Sequence, residues 1–143
     1  MIFRRFLPGH LETLVPQPRQ ARDHRWLIDI GDHVTLAEYP SLSAWHDGAC
    51  VACGGVVPVS RYKAVGWAVL SYRAAPHRLP LIRKAREVIG ALPFKRVELQ
   101  VAADHQAGVR FAQALGAIQE TPLPLKYYGA DGQDHYLFAV IKD

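Results

Sequence analysis

The stretch VELQVAADHQAGVRFAQALGA, residues 97–117, decides the fold. Apolar and polar residues alternate from Val97 to Val101, which is the period of a strand with one buried face. The alanine-rich run Ala107–Leu115 then predicts a helix. Gly116 stops that helix, because glycine readily adopts the left-handed conformation found at helix ends.

A helix and three strands are predicted ahead of this stretch. Leu81–Leu92 carries one apolar stripe at helical spacing, and Gly90 and Pro93 mark its end. The predicted strands are Leu42–Trp45, Ala49–Val59 and Lys63–Leu70. Asp47-Gly48 predicts a hairpin turn, because glycine accepts the positive φ that such turns need. Gly54-Gly55 indicate a bulge or a close backbone approach.

The two ends of the chain complete the element order. The N-terminal predictions are a strand over residues 2–6, a helix over His10–Leu14 with Pro8 near its first turn, and an amphipathic helix over Arg19–Ile30 closed by Gly31. Residues 32–40 are ambiguous. The C-terminal predictions are a strand within Ala117–Leu123, a turn at Gly129–Gly132 and a last strand over His135–Ile141. Strands with interposed helices indicate one α/β or α+β sheet.

The composition excludes several classes of protein. Half of the 143 residues are apolar and 21% are charged, which fits one domain with a real core and not a disordered chain. The longest apolar stretch is far shorter than the ~20 residues that cross a bilayer, and the N-terminus lacks the apolar region of a signal peptide. We therefore expect a cytoplasmic protein. The net charge of +4 comes from scattered bases, so a nucleic-acid-binding module is the weakest hypothesis.

Cys50 and Cys53 form a C-x-x-C pair, which allows a redox or zinc interpretation. Zinc needs four ligands and a second such pair is absent, although His46 lies upstream. The motif falls in a predicted strand, where residues three apart point to opposite faces. We therefore interpret the pair as two small buried residues in a reducing compartment.

The stretch from residue 97 to 117 resembles the strand, alanine-rich helix and closing Leu-Gly-Phe of the GNAT (Gcn-related N-acetyltransferase) superfamily. His105 stands where that family usually has Asn, and Ala117 where it has Phe. Two further similarities are the hairpin Asp47-Gly48 with Cys53-Gly54-Gly55, and the opening Ile2–Leu14. The resemblance implies a single GNAT-like domain over residues 1–143. It also implies one mixed sheet of about six to seven strands with helices on both faces.

A narrower group, short GNAT-like proteins encoded by tailed phages, is also similar. The matching residues are Arg110-Phe111, Leu115-Gly116-Ala117, Asp131-Gly132-Gln133, Leu137-Phe138 and Val65-Gly66-Trp67-Ala68. Some members of this group are virion-associated and have no established enzymatic role. This similarity implies an alternative to an enzyme, namely a catalytically silent structural or interaction protein in the host cytoplasm or the virion.

The GNAT resemblance implies that the chain binds acetyl-CoA, with the pyrophosphate at a helix N-terminus. The family's glycine-rich loop corresponds to Ser71–Pro80, which has no glycine and has two prolines that lack an N–H donor. Charged side chains would then bind the phosphates, unless this is an ordinary loop with solvated bases. The cofactor-binding residues implied by the resemblance are Val69, Ser71, Arg73, His77, Arg78, His105 and Phe111.

No catalytic residue is assigned from the sequence. The family's tyrosine acid corresponds to Ala112, and Val65–Leu70 offers no carboxylate in place of the family's glutamate base. The substitutes are Tyr72, His77, Tyr127 and Tyr128. The simpler interpretations are a strand end for Tyr127-Tyr128, a helix cap or solvent-facing position for His105, and core or sheet-face positions for Trp26, Trp45 and Trp67.

Taken with the resemblance, the sequence predicts an acetyl-CoA-dependent N-acyltransferase. The acceptor is an amine, on a small molecule or on a protein, that the sequence does not identify. The missing family residues do not exclude this activity, because proximity alone contributes much of acyl transfer. No metal, membrane or nucleic-acid partner is expected. The apolar last strand, Tyr136–Ile141, is compatible with a homodimer.

Overall fold

The computed structural model describes residues 1–29, 31–130 and 132–143, so Ile30 of the predicted second helix and Asp131 of the predicted turn lie outside the described residues. The strands are β1 (Ile2–Arg5), β2 (Ser41–His46), β3 (Ala49–Pro58), β4 (Lys63–Leu70), β5 (Arg96–Ala102), β6 (Ile118–Gln119) and β7 (His135–Ile141). The α-helices are α1 (Pro8–Thr13), α2 (Ala21–Asp29), α3 (Asp32–Leu36), α4 (Arg78–Ala91) and α5 (Gln106–Ala114), with 3-10 helices at Pro18–Gln20 and Ala75–His77.

The seven strands follow the order β1-β2-β3-β4-β5-β7-β6 in one sheet. β4 and β5 are parallel, with Lys63–Gly66 opposite Arg96–Leu99. The pairs β1–β2, β2–β3, β5–β7 and β6–β7 are antiparallel. This mixed α/β sheet confirms the predicted fold class and the predicted number of strands.

The chain divides into two compact units. The first unit comprises Met1–Val57 and Trp67–Pro80, and the second comprises Pro58–Gly66 and Leu81–Asp143. The interpretation of residues 1–143 as a single domain stays a prediction.

The core of the first unit confirms two of the three tryptophan predictions. Its buried members are Phe6, Leu11, Leu14, Cys50, Cys53 and Val69. Trp45 and Trp67 pack against this cluster, with the ring centroids of Phe6 and Trp67 5.2 Å apart. The prediction is wrong for Trp26, which is 46% exposed. Leu27 of the same helix packs on the core instead, and neighbouring helical residues point in different directions.

The β2–β3 hairpin contains a bulge that the sequence did not place. Asp47 and Gly48 both have positive φ, which confirms the predicted turn. Beyond it, Trp45 lies opposite Cys50 but Ala44 lies opposite Ala52, so β3 has one extra residue, Val51. An extra residue of this kind shifts the alternation of side chains between the two faces of a strand.

The bulge places both cysteines on one face. Cys50 and Cys53 lie opposite Trp45 and Ser43, and these two residues share a face of β2, where Trp45 Nε1 donates to Ser43 Oγ at 3.2 Å. Both cysteines are free thiols and buried, as predicted. The prediction that they point to opposite faces is wrong, because it assumed a regular strand.

Gly55, further along β3, makes the close backbone approach predicted for the glycine pair. A Cβ at this position would lie 2.4 Å from Pro40 O and 2.7 Å from Ser41 Cβ. Val56 N–H donates to the same carbonyl of Pro40 at 3.0 Å. Only glycine therefore fits here, because the contact is with backbone that is held by a hydrogen bond.

The second unit is organised by β5 and β7. These strands pair along their full length, from Arg96↔Ile141 to Ala102↔His135. Phe138 of β7 is fully buried and forms a core with Ala112 and Ala117. Gly116 follows α5 with φ of 85°, which confirms the predicted helix end.

The predicted and the observed elements differ most in three places. α4 begins at Arg78 and includes Pro80, which is tolerated because amides in a first helical turn have no partner within the helix. The ambiguous residues 32–40 contain α3. β6 is only two residues long, because Pro122 and Pro124 cannot donate to a sheet.

Replacing Gly55 by alanine tests the close approach. We expect Gly55→Ala to lower the free energy of unfolding by about 1–3 kcal/mol, because backbone must move to admit the methyl group. The matched control is Gly90→Ala, where a Cβ would meet nothing within 4 Å. This control should be neutral or stabilising by up to ~1 kcal/mol. Urea denaturation checks both, and equal stability of the two variants would contradict the account.

Candidate functional site

The end of β4 is held on both sides by hydrogen bonds within the first unit. Ser71 N–H donates to Val51 O of β3 at 2.8 Å. On the other side, the Gln20 side-chain amide donates to Ala68 O and accepts from Leu70 N–H, each at 2.8 Å. The Gln20 side chain thus pairs with two backbone groups of β4, on the edge of this strand that faces away from β3.

The segment before Gln20 extends this pairing. Gln17 N–H donates to Leu70 O at 2.9 Å, and Tyr72 N–H donates to Val15 O at 3.3 Å. Pro16 and Ser71 form an antiparallel bridge between these two bonds. The residues from 15 to 20 therefore form a strap along the end of β4, and we call them the strap below.

The connection from β4 to α4 uses its backbone donors internally. Arg73 N–H donates to Ser71 Oγ at 3.1 Å, Ala74 N–H to Ser71 O at 3.0 Å, and His77 N–H to Ala74 O at 2.8 Å. The predicted loop Ser71–Pro80 is thus mostly turn and helix. An anion here would be bound by side chains, because these three amides already have partners.

Cationic side chains are concentrated in this connection. Arg73 Nε donates to Tyr72 Oη at 2.7 Å, and its guanidinium carbon lies 5.2 Å from the centroid of the Tyr72 ring. The ring of His77 lies 4.3 Å from the ring of His46, whose Nε2 is 3.2 Å from a carboxylate oxygen of Asp47. Arg78 is exposed at the first residue of α4.

A pocket of about 370 Å³ opens beside these groups in the first unit. Its lining comes from three segments: Thr13 and Val15 near the end of α1, Trp45 and Gly48–Cys50 of the hairpin, and Ser71–Arg73 after β4. Two of the predicted cofactor-binding residues, Ser71 and Arg73, therefore line one pocket. Sequence reasoning missed Thr13 and Cys50 as lining residues of the pocket, and Gln20 as the residue that pairs with the end of β4. Only the tertiary fold brings these three residues to the site.

Val69 is 3% exposed and belongs to the core of the first unit.

His105 and Phe111 belong to the second unit. His105 occupies the N-cap position of α5, where the helix-cap interpretation placed it, but its side chain makes no capping hydrogen bond. It is buried, so the solvent-facing interpretation is wrong. Its ring packs against Gly108, where a Cβ would lie 2.5 Å from His105 Cδ2. Phe111 lies half-buried within α5.

Among the substitute catalytic residues, Tyr72 is the one that lines the pocket. Its hydroxyl oxygen accepts from Arg73, so its own proton remains available for donation. Tyr127 and Tyr128 are 81% and 42% exposed. Tyr127 also has φ of 56°, so the pair forms a turn, and the strand-end interpretation is wrong.

The described residues contain no group of three or more His, Cys, Asp or Glu side chains that could hold a metal ion. Among the helices described, none is both long and apolar enough to cross a membrane.

Solved structures similar to this chain are acetyltransferases. Ard1 from Thermoplasma volcanium has a TM-score of 0.74 and 16% identity, covering 98% of this chain and 96% of that one. A ribosomal-protein-alanine N-acetyltransferase from Brucella melitensis has a TM-score of 0.64 and 16% identity, with 99% and 100% covered. A GNAT superfamily phosphinothricin acetyltransferase from Sinorhizobium meliloti, solved in complex with AcCoA, has a TM-score of 0.63 and 14% identity, with 98% and 87% covered.

At these identities the likeness establishes the GNAT fold and nothing finer. No protein-family model matches the sequence, and a comparison with curated proteins finds no match.

Removing the Gln20 side chain tests the strap. We expect Gln20→Ala to lower the free energy of unfolding by about 1–3 kcal/mol, because Ala68 O and Leu70 N–H lose their partners. Gln17→Ala is the matched control, since Gln17 bonds through its backbone N–H, which the substitution leaves in place. Urea denaturation and amide exchange at Leu70 measure the effect. Unchanged exchange at Leu70 in Gln20→Ala would contradict the assignment.

Proposed function

We propose that this chain is an acetyl-CoA-dependent N-acetyltransferase with an amine acceptor still to be identified. The observation that carries the proposal is the cationic connection between β4 and α4, beside a pocket, in a fold shared with acetyltransferases over nearly the whole chain. The AcCoA complex of the Sinorhizobium meliloti enzyme makes acetyl-CoA the first ligand to test.

The residues present fit the anionic part of acetyl-CoA through side chains. Arg78 carries a permanent charge at the first residue of α4, and guanidinium groups bind phosphate oxygens through paired N–H donors. His77 adds a second donor in the same connection. The first turn of α4 contributes the positive end of a helix of 14 residues. This mode takes the place of the glycine-rich loop, because the N–H groups of Arg73, Ala74 and His77 already have partners.

Bound acetyl-CoA would supply the acetyl group as a thioester, which is activated for transfer to an amine. The chain's own part is to hold and orient the ligands, and proximity of this kind lowers the barrier of acyl transfer by several kcal/mol. Tyr72 is the residue we propose as proton donor, because it holds its phenolic proton at Oη inside the pocket lining. Arg73 positions that hydroxyl through the hydrogen bond from Nε.

A catalytically silent GNAT-fold phage protein is the second candidate, and two observations favour it. The N–H groups of Arg73, Ala74 and His77 in the connection after β4 already have internal partners. Ala112, which stands at the position of the family's tyrosine, is buried and has no group that could donate a proton. This candidate predicts no affinity for acetyl-CoA and a role as a structural or interaction protein of the virion.

Binding of acetyl-CoA should raise the melting temperature of the protein. At about 100 times its Kd the ligand adds roughly 2.7 kcal/mol, which is a shift of roughly 5–10 °C for a chain of this size. Arg78→Gln should reduce this shift to less than half, because a charged hydrogen bond to phosphate is worth about 1.5–3 kcal/mol. The control is Arg83→Gln, which removes an exposed charge from a later turn of α4.

Absence of any shift at millimolar acetyl-CoA would reject the proposal and favour the silent protein. An equal loss of the shift in both arginine variants would reject the assigned site but leave binding intact.

Replacing Tyr72 by phenylalanine tests the proton donor, once an acceptor amine is found. We expect Tyr72→Phe to lower kcat about 10²-fold with little change in KM, because loss of a positioned acid slows only the chemical step. Tyr127→Phe is the matched control, since that ring is 81% exposed outside the pocket. A kcat unchanged in Tyr72→Phe would remove Tyr72 from the mechanism.

A further inference from the structure

We propose that Cys50 and Cys53 form a reversible dithiol–disulfide site that reacts with hydrogen peroxide. In this site Cys50 is the thiol that attacks the peroxide, and Cys53 is the thiol that completes the disulfide. The proposal concerns the first unit alone and does not depend on the acetyltransferase function.

The sulfur atoms of Cys50 and Cys53 lie close enough for a disulfide to form with little movement. The two sulfur atoms are 3.6 Å apart and within hydrogen-bond range of each other. This follows from the bulge at Val51, because three residues of β2, from Ser43 to Trp45, span the four from Cys50 to Cys53. Forming a bond of ~2.05 Å requires the sulfurs to approach by only about 1.5 Å. In a regular strand the same spacing would have placed them on opposite faces.

The two thiols differ in their access to solvent. Cys50 is 8% exposed and lines the pocket together with Ser71 and Arg73, which places it nearer to solvent than its partner. Cys53 is 2% exposed and is not part of that lining. The order of reaction follows from this difference. Cys50 reacts with peroxide first, and Cys53 then reacts with the oxidised sulfur of Cys50.

The shared hydrogen bond polarises the pair in the same sense. The hydrogen bond between the two thiols lowers the pKa of Cys50 against the opposing effect of burial. The same hydrogen bond, with burial, raises the pKa of Cys53. Cys50 is therefore the thiol that ionises first, and the thiolate is the form that reacts with peroxide.

The reaction balances with hydrogen peroxide as the only oxidant. Cys50 thiolate attacks one peroxide oxygen, the O–O bond breaks, and the sulfur becomes a sulfenic acid while hydroxide takes up the thiol proton and leaves as water. The sulfur of Cys53 then attacks the sulfur of Cys50, its proton joins the departing hydroxyl, and a second water leaves. Overall, two thiols and one peroxide give one disulfide and two waters. A dithiol reductant reverses the change by thiol–disulfide exchange.

A zinc site is not the better interpretation of the pair. Residues 1–29, 31–130 and 132–143 contain no group of three or more His, Cys, Asp or Glu side chains able to share a metal ion. Two thiolates alone leave a tetrahedral zinc ion half-coordinated. A two-sulfur site suits a disulfide, which needs no further ligand.

The experiment treats the folded, full-length protein with a small excess of hydrogen peroxide and then counts free thiols after denaturation. Intact mass is measured in parallel. We expect loss of both thiols together, a mass lower by two hydrogen atoms, and full recovery with dithiothreitol. Persistence of both thiols in the folded protein would overturn the proposal, and so would a stable gain of oxygen without loss of both thiols.

Two alanine variants assign the roles, because alanine is small and apolar enough for a buried site. In Cys53→Ala, Cys50 should stop at the sulfenic acid, gain one oxygen and be labelled by dimedone. In Cys50→Ala, the remaining thiol should react at about one tenth of the rate or even more slowly, because it is enclosed and protonated. Thermal melts confirm that each variant is folded. Equal oxidation rates in the two variants would overturn the assigned roles, and the wild-type mass still tests the disulfide if a variant fails to fold.

Discussion

The hydrogen-bonding requirement of the backbone at the end of β4 is the constraint on which the rest of the first unit depends. A strand interior must pair its N–H and C=O groups on both edges. Here β3 serves one edge through Val51, and the strap serves the other through Gln20 and the backbone of Gln17. This pairing fixes where β4 ends, and so where Ser71 turns the chain towards α4. A ligand that paired with the same edge would have to displace the Gln20 side chain.

The bulge in β3 is the second element that gives this fold its local chemistry. It changes the face of Cys50 without changing the sheet order, and thereby puts a thiol into the lining of the pocket beside Ser71. The residues that line the pocket thus carry a cation, three hydroxyl groups and a thiol, contributed by Arg73, Tyr72, Ser71, Thr13 and Cys50. Such a set suits an anionic ligand with a reactive end, which agrees with the proposed function.

Much of the fold was predictable because its signals are local. Alternation marked β5, the apolar stripe marked α4, and Asp47-Gly48 marked the hairpin with positive φ at both residues. The errors come from tertiary context. A bulge is set by the pairing of two strands, so the opposite-face argument for the cysteines failed. His105 packs against a glycine in the first turn of α5, and Trp26 is exposed because its helix packs Leu27 and Ile28 against the core instead. For the candidate site, the sequence predicted Ser71 and Arg73 as binding residues. It could not predict Gln20 and Thr13, because their neighbours in the sequence do not indicate which distant residues they contact.

The fold is that of acetyltransferases, and the central claim is that the end of β4 still binds an acyl-CoA, through side chains instead of a glycine-rich loop. The most direct test is a titration of the ¹⁵N-labelled protein with acetyl-CoA, followed through its backbone amide resonances. The account predicts that the largest chemical-shift changes fall on Leu70, Arg73 and Arg78, and that Gln20 side-chain resonances move with them. Unchanged spectra at millimolar acetyl-CoA, or changes that spare residues 68–78, would contradict it.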